Sequence, residues 1–561
     1  MSKVCVIGLD GGTFAVIDHL IGLGRLPNFA RLMSEGSRAT LLSTIPPLTP
    51  AAWTSFFTGS NPAKTGAVGF FRFRPGTYRL EPMNAGNLQG APVWSLAGSR
   101  GKRVCVFNVP VTYPAAAVNG ILISGMDAPG FDDQAVYPLE FKSSFLSAVP
   151  DFKISSDVDT KYLANNSRKP AEECIAMLKS HLQMELRAIN YLMGQDDWDL
   201  FVSVIRSPDS FQHIFWADAE KAIAGDEVTA DEAMRAESVF ECYETIDREL
   251  GESWSQWCAG RNIIFMSDHG FGRLRSDICL NRVLEEAGLL KFLPRNRTRA
   301  RDIMVEKIKS RMPSSTRQKI KRLLGKDSIG ERWHQFVDTL VADIDWSQTK
   351  IFAIAQHGCL YVNLEGRDPM GQVRGEAERQ VVLREAEQAL SRLRDPEDGQ
   401  PVVSGFYRKE DIYDGPLMAE MPDMVVNMRE WSYRGIPSTG IELARESIFR
   451  YQSDEWKELG HTGNHRREGV LMMHGPDITA GRLGDVDMVD VAPTIMRLME
   501  LPVPEEWDGA VIGQAVKPGV AGQGTDEREK YDIGREPAPE PELSAEDEEE
   551  IRKRLENLGY L

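Results

Sequence analysis

No segment of the chain approaches the roughly 20 consecutive apolar residues that a helix needs to span a bilayer, so no transmembrane helix is predicted. Met1, Ser2 and Lys3 lead directly into the first apolar run, and no signal peptide is evident. From these two absences we expect a cytoplasmic protein.

The chain contains few cysteines and has no excess of basic residues over acidic ones. The 7 cysteines are scattered and include no CxxC pair. Cys5 and Cys105 lie within apolar, strand-like runs, so we expect reduced thiols in the core. The net charge of −18 argues against a general nucleic-acid-binding protein and favours solubility.

Three near-continuous apolar runs each lead to an aspartate. These are Val4–Leu9 before Asp10, Leu200–Ile205 before Asp209, and Ile263–Met266 before Asp268. Short runs rich in Val and Ile are typical of strands that are covered on both faces of a parallel sheet. Ligands of such sheets bind beyond the carboxyl ends of the strands. Three acids at one edge would repel each other, so we expect a pair of divalent cations among them.

The alternation of strand-like and helical segments up to about residue 125 indicates βαβ units and an α/β fold. With 561 residues the chain is too long for one simple core, so we expect insertions or a second domain. The predicted divisions are core parts at 1–127, 196–285 and 346–515, a loop and helical cap at 128–195, a basic helical cap at 286–345, and an acidic linker with a terminal helix at 516–561.

The basic cap carries a large excess of positively charged residues. Between Lys291 and Lys326 there are 13 Lys and Arg residues but only Asp302 and Glu306 as acids. One interpretation is a solvated helical hairpin. The other is a lid over an anionic substrate, or a patch of residues 291–326 that contacts acidic lipid headgroups.

Two short motifs place histidines beside the aspartates. Asp209 and His213 are spaced i, i+4, which puts both side chains on one face of a helix, close enough to share a metal ion. Asp268 and His269 precede Gly270, where a glycine lets the chain turn so that both side chains point inward. Either motif alone is commonly structural, but together with Asp10 they favour a metal site.

A threonine before a predicted helix is a candidate nucleophile. The sequence predicts Thr49 at the N-cap, Pro50 at the first helical position and Gly59 at the end of the helix. A hydroxyl at a helix N-terminus lies at the positive end of the helix dipole, which favours a phosphoryl group. The alternative is an ordinary capping threonine.

Several ordered motifs together resemble the alkaline phosphatase superfamily, most closely its type I phosphodiesterase/nucleotide pyrophosphatase branch and the bacterial group of predicted phosphohydrolases and phosphomutases within it. The resemblance extends from Val4 to about Gly509, outside the two inserts. The segments that carry it are Ile7–Gly12, Leu26–Phe29, the helix after Thr49, Thr58–Gly66, Pro208–His213, Ser267–Gly270 and Asp490–Ile495.

The resemblance implies an alkaline-phosphatase-like fold, with a mostly parallel central sheet, flanking helices and helical cap insertions. It also implies two divalent metal ions, usually Zn²⁺, with Mn²⁺ or Fe as alternatives. The implied ligands are Asp209, His213 and a late histidine for one ion, and Asp10, Asp268, His269 and the Thr49 alkoxide for the other. His465 is favoured over His461 as the late histidine, because it lies just upstream of an apolar strand and of Gly475-Pro476.

The implied reaction is hydrolysis of phosphate esters, of the phosphodiester or nucleotide-pyrophosphate type, through a phosphothreonine on Thr49. The expected partner is a small phosphorylated substrate such as a nucleotide. Relatives carry an asparagine that binds a phosphoryl oxygen where this sequence has Phe70, which makes a diester preference doubtful. Candidates for substrate binding are Lys64, Phe70, Arg72, Arg273 and His357, with a structural role open for His357.

Three other functions are weighed against hydrolysis. A phosphomutase or phosphoryl transferase would use the same site. A sulfatase of this fold needs Cys or Ser in C/S-x-P-x-R, which Leu48-Thr49-Pro50-Ala51 does not match. A non-enzymatic, metal-stabilised scaffold is disfavoured by the nucleophile and the nearly complete ligand set.

Overall fold

The computed structural model describes residues 2–155, 171–293, 344–354, 357–436, 448–450, 461–519, 528–531 and 551. The strands, in chain order, are β1 (Val4–Leu9), β2 (Ser37–Leu42), β3 (Phe71–Phe73), β4 (Leu80–Pro82), β5 (Val104–Val109), β6 (Gly120–Ser124), β7 (Val136–Tyr137), β8 (Leu200–Ile205), β9 (Asn262–Met266), β10 (Gly270–Arg273), β11 (Ser276–Ile278), β12 (Ile351–Ala353), β13 (Cys359–Val362), β14 (Val403–Arg408), β15 (Met424–Met428), β16 (Tyr433–Gly435), β17 (Phe449–Arg450), β18 (Gly463–Arg466), β19 (Glu468–His474), β20 (Gly481–Arg482), β21 (Val486–Asp487), β22 (Val503–Pro504) and β23 (Arg528–Glu529).

The helices surround these strands. They are α1 (Phe14–Gly22), α2 (Pro27–Glu35), α3 (Thr49–Thr58), α4 (Pro62–Thr65), α5 (Val93–Ser99), α6 (Phe141–Ala148), α7 (Ala171–Met193), α8 (Ser207–Ala224), α9 (Ala230–Gly251), α10 (Ser255–Cys258), α11 (Leu280–Glu286), α12 (Gly375–Leu390), α13 (Lys409–Ile412) and α14 (Val491–Leu498), with 3₁₀ turns at Trp346–Gln348 and Met488–Asp490. Within the described ranges, none of them combines the length and the apolar composition that crossing a bilayer requires.

A large sheet of ten strands forms the centre of the molecule, in the order β20-β2-β19-β9-β1-β8-β5-β6-β7, with β21 also paired to β2. The five strands β9, β1, β8, β5 and β6 run parallel, whereas β19 is antiparallel to both β9 and β2, and β7 is antiparallel to β6. This mixed but mostly parallel α/β sheet confirms the predicted fold class.

Helices cover both faces of this sheet, which explains why the central strand β1 has no polar side chain and is buried along its whole length. Along β1, Cys5 and Ile7 belong to one apolar cluster, together with side chains of α1, α2, α7, α8 and α9. Val4 and Val6 face the opposite cluster, which includes side chains of α3, α5 and α14. Successive side chains of a strand point to opposite faces, so a strand without polar residues must be buried on both sides.

A smaller four-stranded sheet, in the order β12-β13-β15-β14, lies within a third apolar cluster with α11 and α12. Leu48 and Phe70 also belong to this cluster, so it reaches the N-terminal end of α3. Residues 294–343 of the predicted basic cap lie outside the described residues. The predicted division into core parts and caps stays a prediction, although α7 contributes many side chains to the main core.

All seven cysteines are buried and free. The prediction of reduced core thiols at Cys5 and Cys105 is therefore confirmed.

Candidate active site

The three predicted aspartates lie at one edge of the central sheet. Asp10 directly follows β1, and its amide donates to the Ile205 carbonyl at the end of β8 at 3.0 Å. Asp209 lies in the first turn of α8, which begins directly after β8, and Asp268 follows β9 closely. Because β8 and β9 both pair with β1 in parallel register, their carboxyl ends deliver the three acids to one place.

Two buried groups of possible metal ligands form at this edge. Within each group, the carboxylate oxygens and imidazole nitrogens all lie within 4.8 Å of one another. The Asp209 group consists of Asp209, His213 and His465, and the Asp10 group consists of Asp10, Asp268 and His269. The two groups adjoin, because the rings of His269 and His465 stack with centroids 3.5 Å apart.

The hydrogen bonds of the three histidines fix their tautomers. Each Nδ1 lies beside a backbone carbonyl oxygen, which can only accept, so each ring carries its proton on Nδ1. The pairs are His213 with Gly463 at 3.2 Å, His269 with Gly270 at 3.1 Å and His465 with Pro47 at 2.9 Å. Nε2 of each ring is then an acceptor, the form in which imidazole binds metals. Nε2 of His213 and Nε2 of His465 lie 3.1 Å apart, so two acceptors face each other.

The carboxylates show the same excess of acceptors. Among the described residues, none donates a hydrogen bond to Oδ1 of Asp10, Oδ1 of Asp209 or Oδ2 of Asp268, although all three atoms are buried. Buried charged oxygens without donors are costly unless a cation compensates them. Carboxylate oxygens and imidazole nitrogens together fit divalent cations such as Zn²⁺. The donor set therefore fits the metal ions that the resemblance implies.

Burial and the crowding of acids shift the pKa values of the three aspartates. Burial raises the pKa of Asp10 well above its ordinary value, and the nearby Asp268 and Asp209 raise it further. Burial also raises the pKa of Asp268 to about 8. The Gly11 amide, which donates to Oδ1 of Asp268 at 3.1 Å, acts in the opposite direction and lowers this pKa. For Asp209 burial also acts to raise the pKa, but its pKa is lowered well below the ordinary value when the adjacent His213 and His465 carry a proton on Nε2 as well as on Nδ1.

Burial lowers the pKa of two of the histidines. The pKa of His269 lies well below the ordinary value because of its burial and the neighbouring His465, and that of His465 is lowered mainly by burial. Both rings are therefore neutral near pH 7, which is the state that binds a metal.

Thr49 lies beside the Asp10 group, at the start of α3. Its Oγ1 is 3.3 Å from Nε2 of His269. The predicted N-cap assignment was wrong by one residue: Leu48 has extended backbone angles and its carbonyl accepts from the Ala52 amide at 2.9 Å, so Thr49 is the first helical residue. Gly59 ends the helix in the left-handed region with a φ of +57°, as predicted.

The structure separates the two candidates for the late histidine. His465 lies on β18, which pairs with β10 so that His465 is opposite Phe271, and its Nε2 is 3.5 Å from Oδ1 of Asp209. His461 lies outside the two groups, with its ring edge-on to His213 at a centroid distance of 5.2 Å.

Lys64 and Arg72, two candidates for substrate binding, are engaged in ion pairs. The Lys64 ammonium lies 2.5 Å from a carboxylate oxygen of Asp508. The Arg72 guanidinium lies 3.1 Å from Glu81 and 3.7 Å from Glu420. The structure brings neither residue into the Asp/His groups.

The other three candidates differ in exposure. Arg273 ends β10 with a side chain that is 51% exposed and 3.5 Å from Glu220. Phe70 is buried in the third apolar cluster. His357 is buried, has a φ of +38°, and its Nε2 lies 3.1 Å from Oδ1 of Asn464. Its ring centroid lies 5.4 Å from that of His465, so His357 lies beside a predicted ligand.

Two residues near the site escaped prediction from sequence. Arg206, directly before α8, is buried and counteracts the raised pKa of Asp10. Gln212 is fully buried and donates to the Gly11 carbonyl at 2.8 Å, so it holds the loop whose amide binds Asp268. Arg206 could have been noticed from its position between a buried strand and Ser207-Pro208-Asp209, whereas the sequence around Gln212 carries no such signal.

Known proteins resemble this chain in sequence and in fold. The sequence profile of the family "Type I phosphodiesterase / nucleotide pyrophosphatase" matches residues 4–435. No curated protein matches the sequence significantly. The fold is similar to that of phosphonoacetate hydrolase from Sinorhizobium meliloti 1021 in complex with phosphonoformate, with a TM-score of 0.51 and 14% identity over 88% of this chain and 94% of that one. Murine ectonucleotide pyrophosphatase/phosphodiesterase 5 has a TM-score of 0.45 and 13% identity, over 89% of this chain and 95% of that one.

The profile matches most of the chain. Seven of the ten strands of the central sheet, Thr49 and five of the six Asp/His residues fall within the match. His465 lies beyond it and is brought to the site by the pairing of β18 with β10. The chain belongs to the type I phosphodiesterase/nucleotide pyrophosphatase family, and it is a metal-dependent hydrolase that acts on phosphoric ester bonds.

Proposed function

We propose that this protein cleaves phosphate esters of the phosphodiester or nucleotide-pyrophosphate type through a phosphothreonine on Thr49, at a site for two divalent cations. The observation that carries the proposal is the position of the Thr49 hydroxyl, 3.3 Å from Nε2 of His269. That distance supports Thr49 as the nucleophile, because its hydroxyl lies beside one group of proposed metal ligands. The second group adjoins the first through the stacked rings of His269 and His465.

The Asp209 group would hold one cation, and the Asp10 group, with Thr49 Oγ1, would hold the other. Zn²⁺ suits this set of carboxylate and imidazole ligands, and Mn²⁺ or Fe²⁺ are alternatives. When bound, such ions lower the pKa of a coordinated hydroxyl and neutralise the charge of phosphoryl oxygens.

The reaction has two displacements. In the first, Thr49 Oγ1 forms a bond to phosphorus as the bond to the leaving oxygen breaks, and the alcohol departs with the proton that Thr49 loses. In the second, the oxygen of a water molecule attacks phosphorus, the bond to Oγ1 breaks, and Thr49 recovers a proton. The phosphoryl group lies at the N-terminus of α3, where the helix dipole favours its negative charge.

The substrate that suits this site is small and phosphorylated, such as a nucleotide. Arg206 adds a buried positive charge close enough to Asp10 to affect its pKa, which further favours an anionic ligand. Phe70, in place of the asparagine of relatives, offers no hydrogen bond to a phosphoryl oxygen, so the preference between monoester and diester has to be measured.

The test compares two model esters. The purified protein is stripped of metal, reloaded with Zn²⁺ or Mn²⁺, and assayed on bis-p-nitrophenyl phosphate and p-nitrophenyl phosphate. We expect metal-dependent turnover that Thr49→Ala lowers by at least about 1000-fold, since the variant lacks the attacking oxygen.

Thr54→Ala is the matched control. Thr54 is a buried threonine of the same helix, and its hydroxyl donates to the Pro50 carbonyl at 2.7 Å. This variant should keep its turnover. If the metal-loaded protein leaves both esters intact, hydrolysis of simple esters is wrong and phosphoryl transfer to another hydroxyl replaces it.

A further inference from the structure

Glu185 is a buried acid that the reaction above does not use. It lies in the middle of α7, and its side chain is 1% exposed. It faces the start of α8, the helix that carries Asp209 and His213.

Both oxygens of Glu185 accept hydrogen bonds from the chain around that helix start. Oε1 accepts from the Arg206 amide at 2.9 Å and from Nδ2 of Asn108 at 3.2 Å. Oε2 accepts from the hydroxyl and the amide of Ser207, at 2.5 and 3.3 Å. Asn108 in turn donates to the Val204 carbonyl at 3.0 Å, which ties the network to β8.

Every one of these four partners is a donor, so the site requires two acceptor oxygens. The first amides of a helix have no acceptor within the helix itself, and a carboxylate beside them also interacts favourably with the positive end of the dipole. A glutamine of the same shape would turn its NH₂ group towards a backbone amide, that of Arg206 or of Ser207, whichever way its amide is oriented. Only a carboxylate satisfies the whole network.

We propose that Glu185 is a positioning residue for the Asp209 group: it anchors the first turn of α8 and thereby orients Asp209 and His213 towards one of the two cations. Asp209 is the third residue of this helix and His213 the seventh, so a shift or rotation of the first turn moves both ligands together. The inference rests on the proposed function, because it concerns one of the two proposed metal sites.

The chain offers a matched control in Asp247. This carboxylate is also buried, at 2% exposed, and accepts from the amides of Asn28 and Phe29 at 3.2 and 2.6 Å and from Nδ2 of Asn28 at 3.1 Å. It therefore holds the start of α2 as Glu185 holds the start of α8. No residue of α2 belongs to either metal group among the described residues.

The experiment measures metal affinity as well as stability. Glu185→Gln, Asp247→Asn, His213→Ala and the wild type are stripped of metal and titrated with Zn²⁺ against a chromophoric chelator, and each is also unfolded thermally without metal. The His213→Ala variant lacks a ligand of the Asp209 group, so its titration shows which of the two affinities belongs to that group.

We expect Glu185→Gln to weaken one of the two Zn²⁺ sites by about 10- to 100-fold, as loss of a ligand-orienting contact commonly does, and to leave the other site unchanged. The double variant with His213→Ala should lose no further affinity, since both changes affect the same ion. Asp247→Asn should lower the melting temperature but keep both affinities. Ser207→Ala, which removes one donor only, provides a milder variant with a smaller loss at the same site, in case Glu185→Gln does not fold.

Three results would overturn the inference. If Glu185→Gln and Ser207→Ala keep both wild-type affinities, or if Asp247→Asn weakens Zn²⁺ binding equally, Glu185 has only a general role in stability, and the proposed function still stands. A wild-type protein that binds no divalent cation overturns both proposals, and the wild-type titration alone reveals this.

Discussion

Thr49 Oγ1 and His269 Nε2 lie 3.3 Å apart, and Nδ1 of His269 donates to the carbonyl of Gly270. Nε2 can therefore only accept, so in the metal-free protein the Thr49 hydroxyl donates its proton to it. The arrangement aligns a hydroxyl and a ring acceptor before any substrate binds.

The covalent intermediate should be detectable on Thr49. Acid quenching during turnover of a phosphate ester, followed by peptide mass spectrometry, should find a phosphoryl group on the peptide that contains Thr49. Thr49→Ser should keep measurable turnover and give phosphoserine, because it retains a hydroxyl at the start of α3. Phosphorylation at another residue, or full activity of Thr49→Ala, would contradict the mechanism.

His465 and His461 should respond differently to substitution. His465→Ala removes an Nε2 that lies 3.5 Å from Asp209 Oδ1, so we expect the loss of one bound Zn²⁺ and of most of the turnover. His461→Ala should keep two ions, because His461 lies outside both groups of ligands. Metal content after gel filtration, measured by mass spectrometry, distinguishes them. Equal losses in both variants would argue against His465 as the single late ligand.

Metal binding should release protons and strengthen with pH. Burial raises the pKa of Asp268 to about 8, so in the metal-free protein this carboxyl is protonated at neutral pH and a cation must displace its proton. As the pH rises towards 8 the competing proton is lost, so the apparent Zn²⁺ affinity should increase, by up to about tenfold per pH unit for one proton.

Calorimetric titration in buffers of different protonation enthalpy gives the number of protons released. Asp268→Asn should bind more weakly and release fewer protons on binding. An affinity that does not change with pH, with no proton release in the wild type, would contradict the assignment.

Lys64 should contribute nothing to substrate binding. Its ammonium is paired with Asp508 and also donates to the Glu506 carbonyl at 2.8 Å, so Lys64→Ala should leave KM unchanged. Because the pair is partly exposed, the expected loss of stability is only about 0–1 kcal/mol. Steady-state kinetics and thermal unfolding check the two parts. A clear rise in KM at unchanged stability would restore Lys64 as a substrate ligand.

The central sheet and its acid-bearing edge could be predicted because they follow from local patterns. A continuous apolar run such as Val4–Leu9 must be buried on both faces, and parallel strands bring their carboxyl ends to one edge. The i, i+4 spacing of Asp209 and His213 likewise needs only the geometry of a helix.

The parts that sequence did not reveal depend on contacts between distant segments. Glu185 has no local pattern, since its partners Asn108 and Ser207 lie in other elements. Lys64 and Arg72 were chosen from position alone, and their acidic partners could not be seen from the sequence around them. The basic cap stays a prediction, because its residues 294–343 lie outside the described part of the chain. The cytoplasmic location also stays a prediction.

The ligands of the two groups come from segments that are far apart along the chain, from Asp10 at one end to His465 on β18. During synthesis, a chain that ends anywhere before His465 lacks a member of the Asp209 group, even if its central strands have paired. Under the proposed function, a prematurely terminated fragment would therefore lack a complete site for the second cation. Turnover would require synthesis at least as far as β18.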